Sequence, residues 1–233
     1  MTKNVTMVIP FRDNGDDVIR LFNALWELDW PPENFRIVAV EGDSVDDTYP
    51  LLKFWETDFP QFDKVTLIKL DLNVPQHPSS VHPERFYALA TTYNAGLDAA
   101  VEDDWTDFVF LIPSDLRFSP DVVSRLVAHN KHHIAPMYWI QLGEHIVFYD
   151  TWGFRNLDGH NWNNFRRGQW NNPIEPFQMA MAGGPVMLRR DVLDAGCRYT
   201  VEEVDNGLCK MIWEKGFSVW CDPNTDVYHA PRS

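Results

Sequence analysis

The stretch Val38-Ala39-Val40-Glu41-Gly42-Asp43-Ser44-Val45-Asp46-Asp47-Thr48 decides how this chain folds. It opens at the close of an apolar, β-branched run from Phe35 to Val40, the pattern of a buried strand. It then turns small and acidic at Glu41-Gly42-Asp43-Ser44. Asp46 or Asp47 can accept from the free backbone N–H groups of a following helix, and that helix carries Leu51, Leu52 and Trp55. Strand, acidic turn and capped helix form one unit, with its chemistry at the strand's carboxyl end.

Strands and helices alternate on either side, with no internal repeat. Val5-Thr6-Met7-Val8-Ile9 is a strand that ends at Pro10. Val18, Leu21, Phe22, Leu25 and Trp26 form a helical stripe, which Pro31-Pro32 stops. Val65 to Leu70 is a third strand. Phe86, Ala90, Tyr93, Leu97 and Val101 mark a long helix. Phe108 to Ile112 is wholly apolar, so it belongs in the middle of a sheet. Asp121 to His129 is a short helix. This alternation predicts a parallel sheet covered by helices. Such sheets bind ligands beyond the carboxyl ends of their strands. Pro10-Phe11-Arg12, Glu41-Gly42-Asp43-Ser44 and Pro113-Ser114-Asp115 therefore share one rim.

The later half has a different grammar. Ile134 to Ile140 and His145 to Tyr149 read as a hairpin turning at Gly143. Thr151 to Pro176 is a long polar-aromatic stretch, and loops of that length are commonly functional. Gly183-Gly184 precede a short strand, Pro185 to Leu188. A helix is expected over Glu203 to Lys215, ended by Gly216, then a last strand over Phe217 to Cys221. Tyr228-His229 lie near the end. The expectation is one domain over residues 1–233 with two intimate lobes, 1–130 and 131–233.

Composition bounds the function. The chain has 233 residues, 20 Lys plus Arg and 34 Asp plus Glu, for a net charge of −14. That balance opposes a broad phosphate-binding face. A hydrophobic share of 45% fits a folded globular protein. No apolar run is long enough to span a membrane, and no signal-like segment opens the sequence. Cys197, Cys209 and Cys221 are too few for a disulfide framework and read as reduced thiols, so a cytoplasmic protein without disulfides is expected.

Seven short motifs, in order, resemble those of the GT-A glycosyltransferases, especially family 2 and the mannan polymerase type. Val8-Ile9-Pro10 looks like the first strand. Val38 to Thr48 is similar to the V-D-D-G-S-x-D-x-T segment. Asn94-Ala95-Gly96-Leu97 looks like the A-x-N-x-G-L helix. Pro113-Ser114-Asp115 occupies the D-x-D position. Gly183-Gly184 match the acceptor-side glycines. Glu202-Glu203-Val204-Asp205 with Lys215-Gly216-Phe217 resembles the E-D-x-D helix and its turn. Tyr228-His229 matches the C-terminal histidine. Three departures stand out. Glu41-Gly42-Asp43 replaces two adjacent acids, Pro113 replaces the first D-x-D acid, and Glu202-Glu203 replaces Glu-Asp.

The resemblance implies an α/β, GT-A (nucleotide-diphospho-sugar transferase) fold: a mainly parallel central sheet, flanking helices and a smaller acceptor-side lobe. It implies sugar transfer from a nucleotide-sugar donor to an acceptor hydroxyl, with residues 1–130 binding the donor and 131–233 the acceptor. Asp115 and His229 would hold Mn²⁺ or Mg²⁺ on the diphosphate. Pro10, Arg12, Glu41, Asp43, Arg85 and Ser114 would hold the donor. Glu203 aligns with the usual base and Asp205 is next. The crowding of Glu202, Glu203 and Asp205 favours a proton on one of them.

Gly183, Gly184, Trp152, Trp162 and Arg166 would meet the acceptor, with Trp170, Asn161, Asn163, Asn164 and Arg167 alongside. Aromatic faces and amides suit a glycan, a small molecule or a modified nucleobase in DNA. Each site has a plainer reading. Asp115 would be a turn acid, Arg12 and Arg85 solvated, Glu203 and Asp205 complements of the helix dipole, and the Trp loop self-packed. Lys131-His132-His133 reads as a solvated helix end. A nucleotidyltransferase would need a Gly-rich basic loop after the first strand, and Phe11-Arg12-Asp13-Asn14-Gly15 is short and acidic. A non-catalytic sugar- or nucleotide-binding module is the remaining rival.

Overall fold

The computed structural model describes residues 2–76, 82–169 and 174–229. Its first half is built from β1 (Val5–Phe11), α1 (Gly15–Trp26), β2 (Phe35–Gly42), α2 (Thr48–Asp58), β3 (Lys64–Leu70), α3 (Pro83–Ala100) and β4 (Phe108–Leu111). Then come β5 (Leu116–Phe118) and α4 (Val122–Ala128). The second half holds β6 (His133–Leu142), β7 (His145–Phe148), β8 (Phe154–Arg155), β9 (Phe177–Gln178), β10 (Met181–Ala182) and β11 (Val186–Arg189). It closes with α5 (Arg190–Asp194), α6 (Asp205–Glu214) and β12 (Val219–His229).

One sheet runs β3-β2-β1-β4-β11-β6-β12-β5, with β7 on the side of β6 and β9 on β12. The first four strands are parallel, as the alternation predicts. β11 runs against both β4 and β6, and β12 runs parallel to β6. The larger share of paired residues lies in parallel ladders.

Burial explains the order. β4 is buried throughout and sits in the centre. In β1 every residue except Pro10 is buried. α3 lies directly on this sheet because Gly96 has no side chain: a Cβ there would stand 2.3 Å from Val8 Cγ1. On the other face Val18, Leu21 and Leu25 of α1 enter the core. An aromatic group of Phe22, Trp55, Phe59 and Phe62 seals α1 to α2. Each fully buried ring of this kind contributes roughly 1.5–3 kcal/mol.

Several boundaries differ from the sequence reading. The helix expected from Glu203 begins at Asp205, because Val204 takes a positive φ of 46° that no helix accommodates. The strand expected to stop at Cys221 continues to His229, with a bulge between Asp222 and Val227. His133 is no solvated helix end: it opens β6 and is buried, and burial lowers its imidazole to about 4. β5, β8, β9, β10 and α5 were not expected, being two to five residues each and too short to show a period.

The reversal at β11 sets the position of the site. Because β11 is antiparallel to β4, its beginning lies at the rim where β4 ends. Gly183 and Gly184, just before it, therefore reach that rim. The later residues of β6 and the end of β12 arrive there too.

Candidate active site

A cleft of about 450 Å³ opens over the carboxyl ends of β1, β2 and β4. Pro10 and Arg12 enter it from β1, Gly42 from β2, and Ser114 and Asp115 from the loop after β4. Asn14 ties two of these loops. With its amide oxygen accepting from Ser114 Oγ at 2.8 Å, its nitrogen donates to the Arg12 and Asp13 carbonyls at 2.8 and 2.9 Å. Arg20 donates to the Ser114 carbonyl at 2.6 Å. Ser114 is thus held from both sides.

Arg12 donates through Nη2 to the Val74 carbonyl, and its buried Nε has no partner among the described residues. Arg85 enters from the first turn of α3. Tyr93, two turns on, is buried against Tyr199 with ring centres 4.8 Å apart. Burial first, then the charge of Asp205, pushes its phenol upward in pKa, so it stays protonated.

Glu41 and Asp43 flank the cleft wall at Gly42, and neither carboxylate lines it. Glu41 is 1% exposed and accepts from the Ser44 N–H at 2.7 Å. Asp43, at φ 59°, accepts from the N–H groups of Leu72, Asn73 and Val74 at 2.9, 3.1 and 2.9 Å. Burial alone would raise its pKa. The three backbone donors and Arg12 outweigh it and hold the carboxyl below the ordinary aspartate value. Asp43 is a clamp on the segment that brings Leu72 and Pro75 to the cleft.

Across the cleft, His229 Nε2 lies 3.1 Å from Asp115 Oδ2. The imidazole stacks on Tyr149, with centres 4.3 Å apart. Pro113, in place of an acid, caps a turn by accepting from the Leu116 N–H at 3.2 Å. No cluster of three or more His, Cys, Asp or Glu side chains able to hold a metal occurs among the described residues. The protein brings one carboxylate and one imidazole together here.

Asp205 is a half-buried acid that lines the cleft. Desolvation first, then the charge of Asp150, raises its pKa to about 7, against the opposing N–H of Gly184. The two glycines make room for it. A Cβ on Gly183 would fall 2.8 Å from Asp205 Cγ, and one on Gly184 would fall 2.7 Å from the Tyr138 hydroxyl. Gly184 also holds φ +74°, which favours glycine. Gly184 lines the cleft; Gly183 stands behind it, under Asp205.

Glu203 is elsewhere. It sits outside the helix and outside the cleft, half-exposed, and accepts from Lys210 Nζ at 2.6 and 2.8 Å. The turn at Val204 sends Asp205 inward in its place. The resemblance ranks Glu203 ahead of Asp205, and the positive φ at Val204 leaves no periodic trace in the sequence.

The Trp-rich stretch is largely self-packed. Trp162 stacks on Phe177 at 5.9 Å and edges against Phe148 at 5.2 Å. Its indole N–H donates to Asn156 Oδ1 at 2.5 Å. Arg166 is exposed and pairs by a backbone bridge with Val147. Arg167 pairs with Asp226 and the Tyr228 hydroxyl. Trp152 does not line the cleft; it is exposed and tilts on Phe86 at 5.9 Å, while its backbone N–H donates to Asp150, which does line it. Trp170 lies outside the described residues. Asp150, Tyr138 and Tyr149 line the cleft and were not singled out by the sequence. The one available signal was the strand-to-loop junction Tyr149-Asp150 after the hairpin.

No family model matches this chain, and no curated protein matches it. Its parallel strand ends over a cleft, followed by one reversed strand, define a class: the chain has the fold of the GT-A glycosyltransferases. The solved structures it resembles include the mannosyltransferase PcManGT from Pyrobaculum calidifontis in complex with GDP-Man and Mn²⁺, at 14% identity and TM-score 0.66. S. aureus TarS 1–349 in complex with UDP-GlcNAc matches at 14% and 0.63, and GalNAc-T7 with UDP, GalNAc and Mn²⁺ at 14% and 0.65. These alignments cover 99 to 100% of this chain but only 58%, 59% and 43% of the respective structures. No helix among the described residues is long and apolar enough to cross a membrane.

Proposed function

We propose that the chain is a glycosyltransferase that moves a sugar from a nucleotide-sugar donor to an acceptor hydroxyl. One observation carries this reading: a half-buried acid whose pKa is raised to about 7, Asp205, shares a cleft with the Asp115–His229 pair. Proton acceptance works best when the pKa of the base is close to the working pH.

The residues fit a divalent cation. Asp115 offers a hard oxygen and His229 an imidazole nitrogen, 3.1 Å apart and open to the cleft. That is an incomplete set, suited to Mn²⁺ or Mg²⁺ when a diphosphate supplies further oxygens. When bound, such a cation neutralises charge on the leaving diphosphate. Solved structures of the same fold carry Mn²⁺ with GDP-Man or UDP.

The chain's own residues do the rest. Arg12 and Arg85 supply positive charge and donors to the nucleotide, and Pro10, Gly42 and Ser114 shape its bed. Glu41 and Asp43 serve it indirectly, by fixing the loops beside Gly42. Asp205 takes the proton of the acceptor hydroxyl as oxygen bonds to the sugar's anomeric carbon and the nucleotide departs. Residues 1–130 serve the donor and 131–233 the acceptor, as one domain. The three buried thiols suit a reducing cytoplasm.

A glycan or small molecule is the favoured acceptor. Trp162 and Arg167 are engaged within the protein, which leaves fewer of the loop's groups for a nucleobase in DNA, while Arg166 stays exposed. The test is a panel of UDP- and GDP-sugars with Mn²⁺, read by thermal shift and by donor turnover. Stabilisation without turnover under any acceptor would instead favour the binding-module reading. No stabilisation by any nucleotide would end both.

A further inference from the structure

Asp150 has no part in the transfer as set out above, yet it lines the same cleft as Asp205, beside Tyr138 and Gly184, and its charge adds to burial in raising the Asp205 pKa. Its carboxylate is fixed by three donors: the Tyr138 hydroxyl at 2.8 Å, the Gly153 N–H at 2.7 Å and the Trp152 N–H at 3.1 Å. Gly153 permits this, since a Cβ there would fall 2.2 Å from Asp150 Oδ2.

The Tyr138 ring lies against Gly184, and Asp205 against Gly183. A single glycine-to-glycine step therefore separates the ring that holds one carboxylate from the other carboxylate. The groups facing Asp205 are Asp150 from the loop after β7, Tyr138 from β6, Tyr93 from α3, Tyr199 from the segment before α6, and Cys209 one turn along α6. Burial keeps the phenols and the thiol protonated, the Cys209 thiol being pushed up to about 12. Asp150 is the carboxylate of this set; Arg85, Asp115 and His229 line the same cleft.

We propose that Asp150 is a positioning residue that acts through Asp205, as a fixed negative charge that sets how tightly Asp205 holds its proton. The acceptor O–H bond breaks, its proton passes to the Asp205 carboxylate, and that proton leaves to water after turnover. Without the neighbouring charge Asp205 would be a weaker base. This inference rests on the transfer reading only for its use in turnover; the coupling of the two carboxylates is independent of it.

The test is Asp150→Asn, which keeps an oxygen for the Trp152 and Gly153 N–H groups. The carboxyl ¹³C resonance of Asp205, assigned by its loss in Asp205→Asn, is titrated in the protein alone. The wild-type midpoint is expected near 7. In Asp150→Asn the proton affinity should fall about tenfold or more. Asp150→Glu, which keeps the charge, should restore it. Asp150→Ser, smaller and neutral, serves the same measurement if Asp150→Asn does not fold. In turnover, the acid limb of the pH–rate profile should move to lower pH in the neutral variants. An unmoved midpoint overturns the proposal whatever the turnover. A moved midpoint in a protein that transfers no sugar upholds the coupling and removes the transfer reading instead.

Discussion

Asp115 Oδ2 and His229 Nε2 meet at 3.1 Å because His229 stands opposite Leu116 in the ladder between β5 and β12. The contact is a consequence of strand register. β5 is three residues long, and without it the end of β12 would have no partner on that side.

Asp115→Ala and His229→Ala should each abolish the extra thermal stabilisation that Mn²⁺ adds to a bound nucleotide. Turnover should fall about 100-fold or more, the usual scale for losing one stabiliser of developing charge. A nucleotide whose Mn²⁺ increment survives in both variants would remove the assignment.

Asp205→Asn should lower transfer by about 10²–10⁴-fold while nucleotide affinity stays near wild type, as for loss of a general base. Glu203→Gln should transfer at close to the wild-type rate, because Glu203 faces Lys210 rather than the cleft. Single-turnover rates compared with nucleotide Kd separate the two acids; the reverse ranking would restore Glu203 as the base.

Gly184→Ala places a methyl group 2.7 Å from the Tyr138 hydroxyl at a φ of +74°. Such strain costs on the order of 1–3 kcal/mol, visible as a lower Tm. Gly183→Ala pushes on Asp205 and should lose turnover as well. Wild-type melting of both variants would contradict this packing.

Asp43 binds its proton less readily folded than unfolded. Its contribution is therefore present above its ordinary pKa of 3.8 and is lost as pH falls through the lower folded value. Asp43→Asn should show a shallower decline of Tm below about pH 4. Parallel acid-melting curves would mean that the clamp on residues 72–74 adds no stability.

Trp162→Ala should destabilise by about 3 kcal/mol, the scale of deleting a packed aromatic. Trp152→Ala should leave Tm nearly unchanged and raise the acceptor KM. Chemical denaturation with acceptor kinetics distinguishes a packed ring from an exposed one.

The strand–turn–helix units of the first half were legible because their apolar periods are long. The rim followed from them, and Pro10, Arg12, Ser114 and Asp115 line the cleft. What escaped were effects without a period. Val204 reverses the chain in one residue and leaves Asp205, not Glu203, lining the cleft. Asp43 has the composition of a ligand and works as a clamp. Trp162 has the composition of a sugar platform and packs, partly buried, against the core beside Phe154 of β8, whose two-stranded ribbon with β10 leaves no sequence pattern.

The edge opposite the cleft is also built with care. Arg36 binds Asp63 at 2.5 Å and Asp103 at 2.8 Å while lying 3.9 Å over the Trp105 ring. Lys3 pairs with Asp107 beside it. These groups stand at the amino ends of the parallel strands, a full sheet length from Asp115 and Asp205. The molecule therefore has a working end and a holding end. A label, tether or fused partner joined through the loop at Glu102-Asp103-Asp104 would leave the cleft facing free solution.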